Sequence, residues 1–269
     1  MSNYIKTTPI TSMKGAFSVE GLNVVVTGGN RGIGRGIVQA FSELGANVVI
    51  LCRNGESGEK AVSELAGHPG KHACIPCDIS VREDVLNAVE QTVKLFGGVD
   101  VLVNNAGVST VGTMFGDDDL KEWHRVIGTD LDGVAFTIQQ FAKKMIQAGK
   151  GGSIINISSV GGVSTSYAKQ HPKAPYNTAK AGVNHLTRYL AMELGDYGIR
   201  VNAIGPGLTH SDLDKDLPEE KVRSATAAMP THRFGEPIEI GALCVYLASP
   251  AGNHVTGTVY LHDGGYSLL

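Results

Sequence analysis

Short apolar runs alternate along the chain with longer segments whose apolar residues recur at helical spacing. Each short run is rich in β-branched residues and is followed by a glycine or a polar turn. The runs are apolar throughout rather than alternating with polar residues, which is typical of strands covered on both faces. The pattern predicts strands at residues 22–27, 47–51, 72–76, 99–103, 153–157, 199–204 and 258–261.

The longer segments between these strands have the periodicity of helices. They predict helices at residues 32–44, 56–66, 82–96, 119–148, 175–195 and 237–248. Strict alternation of strand and helix indicates the α/β class, with a parallel, doubly wound Rossmann-type sheet of about seven strands, right-handed crossovers and helices on both faces. Since no linker divides the pattern, we expect one domain over residues 20–269.

Two stretches break the alternation. Residues 1–19 precede the first strand without a clear period, and we expect them to form an arm on the surface. Residues 207–230 are polar and acidic at first and then weakly helical. An excursion this long inside a compact domain is typical of a substrate lid, with a solvated insertion as the alternative.

Composition limits the possible ligands. With 23 basic and 26 acidic side chains the formal charge is −3, which disfavours nucleic acid and acidic membrane surfaces as partners. A small diffusible substrate is therefore expected. No apolar run approaches the ~18 residues of a membrane span.

The cysteines indicate a compartment rather than a metal site. No charged and apolar leader precedes them, and we expect a reducing, cytoplasmic location. Cys74 and Cys77 form a C-x-x-C pair, but no second pair stands at metal-ligand spacing, so no metal is expected.

A glycine-rich turn joins the first strand to the first helix. Glycines allow a tight turn and close approach of the backbone to a pyrophosphate, and the N-terminus of the following helix attracts the anion. A glycine turn can also merely connect strand to helix, but its place in the first β-α unit favours a dinucleotide. The candidate cofactor residues here are Gly28, Asn30, Arg31, Gly32, Ile33 and Gly34.

The turn begins a series of motifs. Thr27-Gly28-x3-Gly32-x-Gly34 is followed in order by Asn104-Asn105-Ala106-Gly107, Tyr176-x3-Lys180, Gly205-Pro206-Gly207 and Asp263-Gly264-Gly265. From about residue 17 to the C-terminus, the chain resembles the short-chain dehydrogenase/reductase family. The resemblance implies the strand order 3-2-1-4-5-6-7, a nicotinamide cofactor and a homo-oligomer, either tetramer or dimer.

The cofactor expected is NADP(H). In NAD-binding relatives an acidic residue closes the second strand, whereas Cys52 and then Arg53 stand here. The planar guanidinium of Arg53 can donate charged hydrogen bonds to a 2′-phosphate. Arg31 resembles a second basic residue of NADP-preferring members. The resemblance further assigns to the cofactor Asp78, Ile79, Asn104, Ala106, Gly107, Tyr176, Lys180, Pro206, Gly207, Leu208 and Ser211.

The catalytic candidates are Tyr176, Lys180 and Ser159. Tyr176 and Lys180 share one helix face, where the ammonium favours ionisation of the phenol and makes it a plausible general acid for a carbonyl oxygen. By resemblance Ser159 polarises the carbonyl, with Ser158 as the adjacent alternative. Asp130 occupies the position of the family's proton-relay asparagine, and an ionised carboxylate only accepts hydrogen bonds. We hypothesise a relay with altered pH dependence.

The substrate is a carbonyl or alcohol whose identity the residues leave open. The long loop before Tyr176 and the segment Lys173–Lys180 resemble sugar and polyol reductases of the sorbose or xylulose type. The alternatives are reductases of steroids, terpenoids, tropinone-type ketones or 3-oxoacyl groups, and a non-catalytic NADP sensor. The polar residues near the site either bind substrate hydroxyls or are solvated loop residues: Ser109, Thr110, Gln170, His171 and His210. For the apolar substrates, Met114, Phe115 and Leu208 would form an apolar pocket instead.

Overall fold

A seven-stranded parallel sheet forms the centre of the protein. The computed structural model describes residues 5–109, 115, 119–165, 172–211 and 218–269. The strand order is β3-β2-β1-β4-β5-β6-β7, so the predicted fold class and order are confirmed. The strands are β1 Asn23–Thr27, β2 Asn47–Cys52, β3 His72–Pro76, β4 Val101–Asn104, β5 Gly152–Ile157, β6 Ile199–Pro206 and β7 Val259–His262.

Helices cover both faces of this sheet, as the fully apolar strands predicted. Val24 and Val26 pack under α1 and α8, whereas Val25 between them packs into a second core that includes residues of α3, α5 and α6. The helices are α1 Gly32–Glu43, α2 Gly55–Ser63, α3 Arg82–Phe96, α4 Lys121–Ile127, α5 Val134–Ala148, α6 Ala174–Glu193, α7 Glu219–Thr226 and α8 Pro237–Ala248.

The prediction of one continuous helix over residues 119–148 was wrong. A π-helical turn, Gly128–Gly133, separates α4 from α5. A Cβ on Gly133 would lie 2.8 Å from the carbonyl oxygen of Ile79, so a glycine is needed where the helix passes this backbone. The wider turn carries Asp130, and π turns occur frequently at functional sites.

The N-terminal segment lies against the body of the domain. Ala16 and Val19 are buried, and the Ala251 amide donates to the Ala16 carbonyl at 2.7 Å. The ring of Phe17 lies 6.3 Å from that of Tyr246. The division into arm and domain stays a prediction.

The predicted lid region is described in two pieces. The first, residues 207–211, pairs with the segment before α8 through a bridge between Thr209 and Gly235. The second contains α7, and residues 212–217 lie outside the described part. Its movement as a lid stays a prediction.

The described residues contain neither a membrane-spanning helix nor a cluster of metal ligands. None of their helices combines the length and apolarity required to cross a bilayer. No cluster of three or more His, Cys, Asp or Glu side chains could hold a metal ion.

Candidate active site

The glycine turn leaves its backbone open. Gly28 and Gly32 have φ of +65° and +51°, in the left-handed region that favours glycine. A Cβ on Gly34 would collide with the carbonyl oxygen of Gly28. The sequence therefore folds into a tight turn at the start of α1 whose backbone a pyrophosphate can approach.

A pair of side chains holds this turn to the end of β4. The Thr27 hydroxyl accepts hydrogen bonds from the amides of Asn105 and Ala106, both at 2.9 Å. The Asn105 carboxamide donates to the carbonyls of Thr27 at 3.0 Å and Gly28 at 3.1 Å. The sequence-based site did not include Thr27 or Asn105, although both lie in its motifs.

The side chain of Asn104 lies in the core, against β5, rather than at the glycine turn. Its side chain is buried and donates to Asn156 on β5 at 2.9 Å, and Asn156 donates to Thr187 on α6 at 2.9 Å. Asn104 thus connects β4, β5 and α6 through its side chain, and it was predicted to hold the turn on the adenine side.

Candidate adenosine contacts surround the end of β2. The Arg53 side chain is 64% exposed, and its Nη1 lies 3.9 Å from Asp78 Oδ2. Asp78 is oriented by Ser80, whose amide and hydroxyl both donate to Oδ1. Ile79 is buried, and Asn30 donates to Ser57 Oγ at 2.9 Å.

Arg31 lies within the glycine turn itself. It is exposed, has extended backbone and precedes α1 directly. It borders a cavity of about 840 Å³ together with Gly32, His210 and Ser211. His210, predicted to contact substrate hydroxyls, instead lies 3.9 Å from Glu236 Oε1 in this cavity.

A second cavity, of about 660 Å³, brings the catalytic candidates together. It opens where β4, β5 and β6 end, because the carboxyl ends of parallel strands meet at one edge of the sheet. The sequence-predicted residues that line it are Ile33, Gly107, Ser109, Asp130, Ser158, Ser159, Tyr176, Lys180, Pro206, Gly207 and Leu208. Hereafter it is called the catalytic cavity.

Outside this group, three kinds of candidate remain. Ala106 lies behind the cavity wall through its bond to Thr27. Phe115 is 93% exposed and does not line the cavity, which removes one wall of the predicted apolar pocket. Thr110, Met114, Gln170 and His171 fall outside the described residues.

The two serines after β5 differ in their hydrogen bonds. Ser158 is buried, and its hydroxyl donates to the Lys180 carbonyl at 3.2 Å. The Ser159 hydroxyl accepts from the Gly161 amide at 3.1 Å and so keeps its own proton available. This geometry favours Ser159 as the group that donates to a substrate oxygen.

Lys180 and Asp130 form a buried ion pair. Lys180 Nζ lies 3.3 Å from Asp130 Oδ2, with the two side chains 5% and 0% exposed. The ammonium also donates to the Ile157 carbonyl at 3.2 Å, while Asp130 Oδ1 accepts from the Val108 amide at 2.7 Å. Burial raises the pKa of the Asp130 carboxyl, against the opposing effects of Lys180 and the Val108 N–H.

Tyr176 stands next to this pair on α6. Lys180 Nζ lies 5.5 Å from the centroid of its ring. The ring is half-buried at the cavity wall, with Asn177 beside it. A phenol, an ammonium and a serine hydroxyl thus share one enclosed space, which suits proton donation to a carbonyl oxygen.

Comparison with known proteins identifies this arrangement. A family model described as Enoyl-(Acyl carrier protein) reductase matches residues 28–267. A short chain dehydrogenase/reductase of Aspergillus oryzae is 35% identical over 97% of this chain and 100% of that protein. The chain belongs to the short-chain dehydrogenase/reductase family. As a family member it is an oxidoreductase of the CH–OH/C=O group with a nicotinamide cofactor.

Other members of the family show how its ligands vary. An L-rhamnose 1-dehydrogenase (NAD(P)(+)) of Azotobacter vinelandii is 36% identical over 90% of this chain and 95% of that protein. The solved Pseudomonas aeruginosa RhlG/NADP active-site complex has a TM-score of 0.85 and 33% identity, covering 95% of this chain and 100% of that one.

The described residues fit the family's dinucleotide. Gly28 and Gly34 let the turn pack closely on itself and on Asn105 and Ala106. A Cβ on Gly32 would lie 4.0 Å from Ser211, so the backbone at Gly32 stays open to a pyrophosphate. Further cavity residues were missed from the sequence: Val108, Ser164, Thr165, Lys173, Asn177, Ser224, Ala225, Ala228 and Tyr266. Val108, Lys173 and Asn177 lie in or beside the quoted motifs, whereas the others come from separate segments that no motif connects.

Proposed function

We propose that the protein interconverts a ketone and a secondary alcohol with NADP(H), using Tyr176, Lys180 and Ser159. The observation that carries this proposal is the convergence of the three side chains in the catalytic cavity. Bound NADPH supplies the hydride to the carbonyl carbon. Ser159 and Tyr176 bind the carbonyl oxygen, and Tyr176 gives it a proton. Lys180 orients the nicotinamide ribose and keeps positive charge beside the phenol.

Asp130 is a positioning residue in this scheme. Its 3.3 Å contact fixes the direction of the Lys180 ammonium. While ionised, it also cancels part of the positive charge that Tyr176 experiences. The relay of the family asparagine is thereby replaced by an ion pair whose charge depends on pH.

Preference for NADP(H) is supported by the charges at the adenosine end. Cys52 closes β2 where a carboxylate would repel a 2′-phosphate. Arg53 is exposed and held only loosely by Asp78, so its guanidinium can turn to a phosphate. Arg31 supplies a second exposed cation.

A sugar or polyol is the proposed substrate type. Hydroxyl and amide groups of Ser109, Ser164, Thr165, Asn177 and Ser224 border the catalytic cavity. Side chains of this kind bind substrate hydroxyls, and the similarity to an L-rhamnose dehydrogenase points the same way. The acyl-carrier-protein reductase description of the family model favours a 3-oxoacyl substrate as the second candidate.

We also propose a cytoplasmic homo-oligomer, a dimer or tetramer. Met192, Leu268 and Tyr189 are 84%, 83% and 64% exposed, which supports burial against another copy. The four cysteines are free, which fits a reducing compartment. Sedimentation velocity would give the assembly state.

A carbonyl panel with each cofactor tests the proposal. Ketoses, small diketones, 3-oxoacyl thioesters and bulky apolar ketones are offered with NADPH and with NADH, and loss of reduced-cofactor absorbance is followed. We expect turnover of ketoses with NADPH. Turnover of thioesters alone would select the second candidate, and cofactor binding without any turnover would refute the enzymatic proposal.

A further inference from the structure

The charges that the described residues bring to the catalytic cavity do not balance. Among the described residues that line it, the charged side chains are Asp130, Lys173 and Lys180. Asp130 and Lys180 neutralise each other across 3.3 Å. Lys173 therefore leaves the described part of the cavity wall with one excess positive charge.

Lys173 has no charged partner among the described residues. No salt bridge there includes it, and Asp130, the acid of the cavity wall, is already paired with Lys180. Its side chain is half-buried at the wall, and its own backbone carbonyl accepts the Asn177 amide at 2.9 Å. A half-buried ammonium without a counter-charge is a site where an anion would be stabilised.

The ammonium lies on the substrate side of the cavity. Lys173 Nζ is 6.0 Å from the centroid of the Tyr176 ring, and two residues separate Lys173 from Tyr176 in the chain. The groups assigned to the cofactor phosphates, the glycine turn and Arg53, belong to β1, α1 and the end of β2 instead. Lys173 is therefore placed to meet the molecule that Tyr176 protonates.

We propose that the substrate is a ketone bearing an anionic group, and that Lys173 binds this group while Tyr176 and Ser159 bind the carbonyl. The inference rests on the proposed ketone reduction. The anion is a carboxylate or a phosphate a few bonds from the carbonyl, as in an oxo acid, a sugar acid or a ketose phosphate. Both present charged oxygens to an ammonium, and such hydrogen bonds are among the strong ones.

Matched substrate pairs that differ in charge test the inference. Acetoacetate is compared with methyl acetoacetate, and dihydroxyacetone phosphate with dihydroxyacetone, each with NADPH. We expect kcat/KM about 10-fold to 100-fold higher for the anion of at least one pair, since hydrogen bonds to charged groups contribute about 1.5–3 kcal/mol. The pair with the larger ratio distinguishes carboxylate from phosphate.

Variants of Lys173 connect this ratio to the side chain. Lys173→Met should lower the ratio of anion to neutral kcat/KM to about one, Lys173→Glu should invert it, and Lys173→Arg should retain most of it. Lys94→Met removes the same charge from an exposed position on α3 and should leave the ratio unchanged. Taking a ratio cancels any effect of Lys173 on Tyr176, because both members of a pair need the same proton.

The outcomes separate this inference from the proposed function. If the neutral ketones are reduced but neither anion is preferred, or if the preference survives Lys173→Met, the anion site is wrong and the reductase stands. If no ketone of either pair or of the wider panel is reduced although NADPH binds, the proposed function fails and the anion site fails with it.

Discussion

The two ends of the proposed cofactor site differ in how far their ion pairs are buried. At the catalytic end, Lys180 and Asp130 are 5% and 0% exposed and 3.3 Å apart. At the adenosine end, Arg53 and Asp78 are 64% and 29% exposed and 3.9 Å apart. A buried pair is costly to break, whereas an exposed pair contributes little. Burial thus fixes one lysine beside the reacting groups, and exposure leaves one arginine able to exchange its partner for a ligand.

The largest expected effect comes from the buried end. Tyr176→Phe removes the phenol proton donor and keeps the ring, so kcat should fall ~10²–10⁴-fold if general-acid catalysis has its usual value. Steady-state turnover of the best ketone in the panel measures it. Tyr197→Phe makes the same change at an exposed site just after the same helix and should have no effect. Full activity of Tyr176→Phe would contradict the catalytic assignment.

Arg53, at the exposed adenosine end, should control the preference between NADPH and NADH without affecting the hydride-transfer step. Arg53→Asp replaces attraction for a 2′-phosphate with repulsion, and should lower the ratio of kcat/KM for NADPH to that for NADH about 10-fold to 100-fold. Lys94→Asp, with the same change of charge on α3, is the control. An unchanged ratio in Arg53→Asp would mean that Arg53 does not contact the phosphate.

A change within the buried pair should appear in the pH dependence. Asp130→Asn leaves Lys180 without a counter-charge, so the ammonium favours loss of the Tyr176 proton and the alkaline limb of the pH–rate profile moves to lower pH. We expect kcat at neutral pH to change by roughly tenfold or less, equivalent to about 1.4 kcal/mol.

At acid pH, by contrast, we expect the pH–rate profiles of Asp130→Asn and the parent protein to become alike. Burial raises the pKa of Asp130, and below that pKa the carboxyl is neutral and can donate as well as accept, like the asparagine amide. The two profiles should therefore converge as pH falls through this pKa and diverge above it. Asp132→Asn, at an exposed position in the same π turn, is the control. Superimposable profiles for Asp130→Asn and the parent would exclude a role for Asp130.

The smallest effect is expected at an exposed pair remote from catalysis. Arg233 holds the pKa of Glu239 down to about 2, against an ordinary 4.5. A lowered folded-state pKa contributes stability above pH 4.5 that is lost as pH falls towards 2. Glu239→Gln should slightly lower the Tm at neutral pH and match the parent near pH 2, whereas Glu90→Gln on α3 should not. If Glu239→Gln lowered the Tm more than Asp130→Asn does, the exposed pair would contribute more to stability than the buried pair, against the argument made above for burial.

The spacing of apolar residues predicted the strands and helices, and the family motifs predicted the order of the strands in the sheet. Fully apolar runs such as Val24–Val26 indicate a strand covered on both faces, but nothing in their spacing gives the order of strands in the sheet, which came from the family resemblance. The break between α4 and α5 was not predictable in this way, because the apolar period continues across the π turn. Lys173 lies in the segment that resembles sugar reductases, but its role was not predicted, because only the geometry shows that its ammonium and the Tyr176 ring line one cavity.

Gly107, in the loop after β4, cannot be replaced by a larger residue without disturbing Asp130. A Cβ there would lie 2.9 Å from Asp130 Oδ2. Any side chain at 107 would push the carboxylate against the lysine or away from it, and would thus change the acidity of the site without touching substrate. The second glycine-containing motif, whose place in the fold suggests only a cofactor contact, therefore also leaves the space that Asp130 occupies in the proposed proton-donating group.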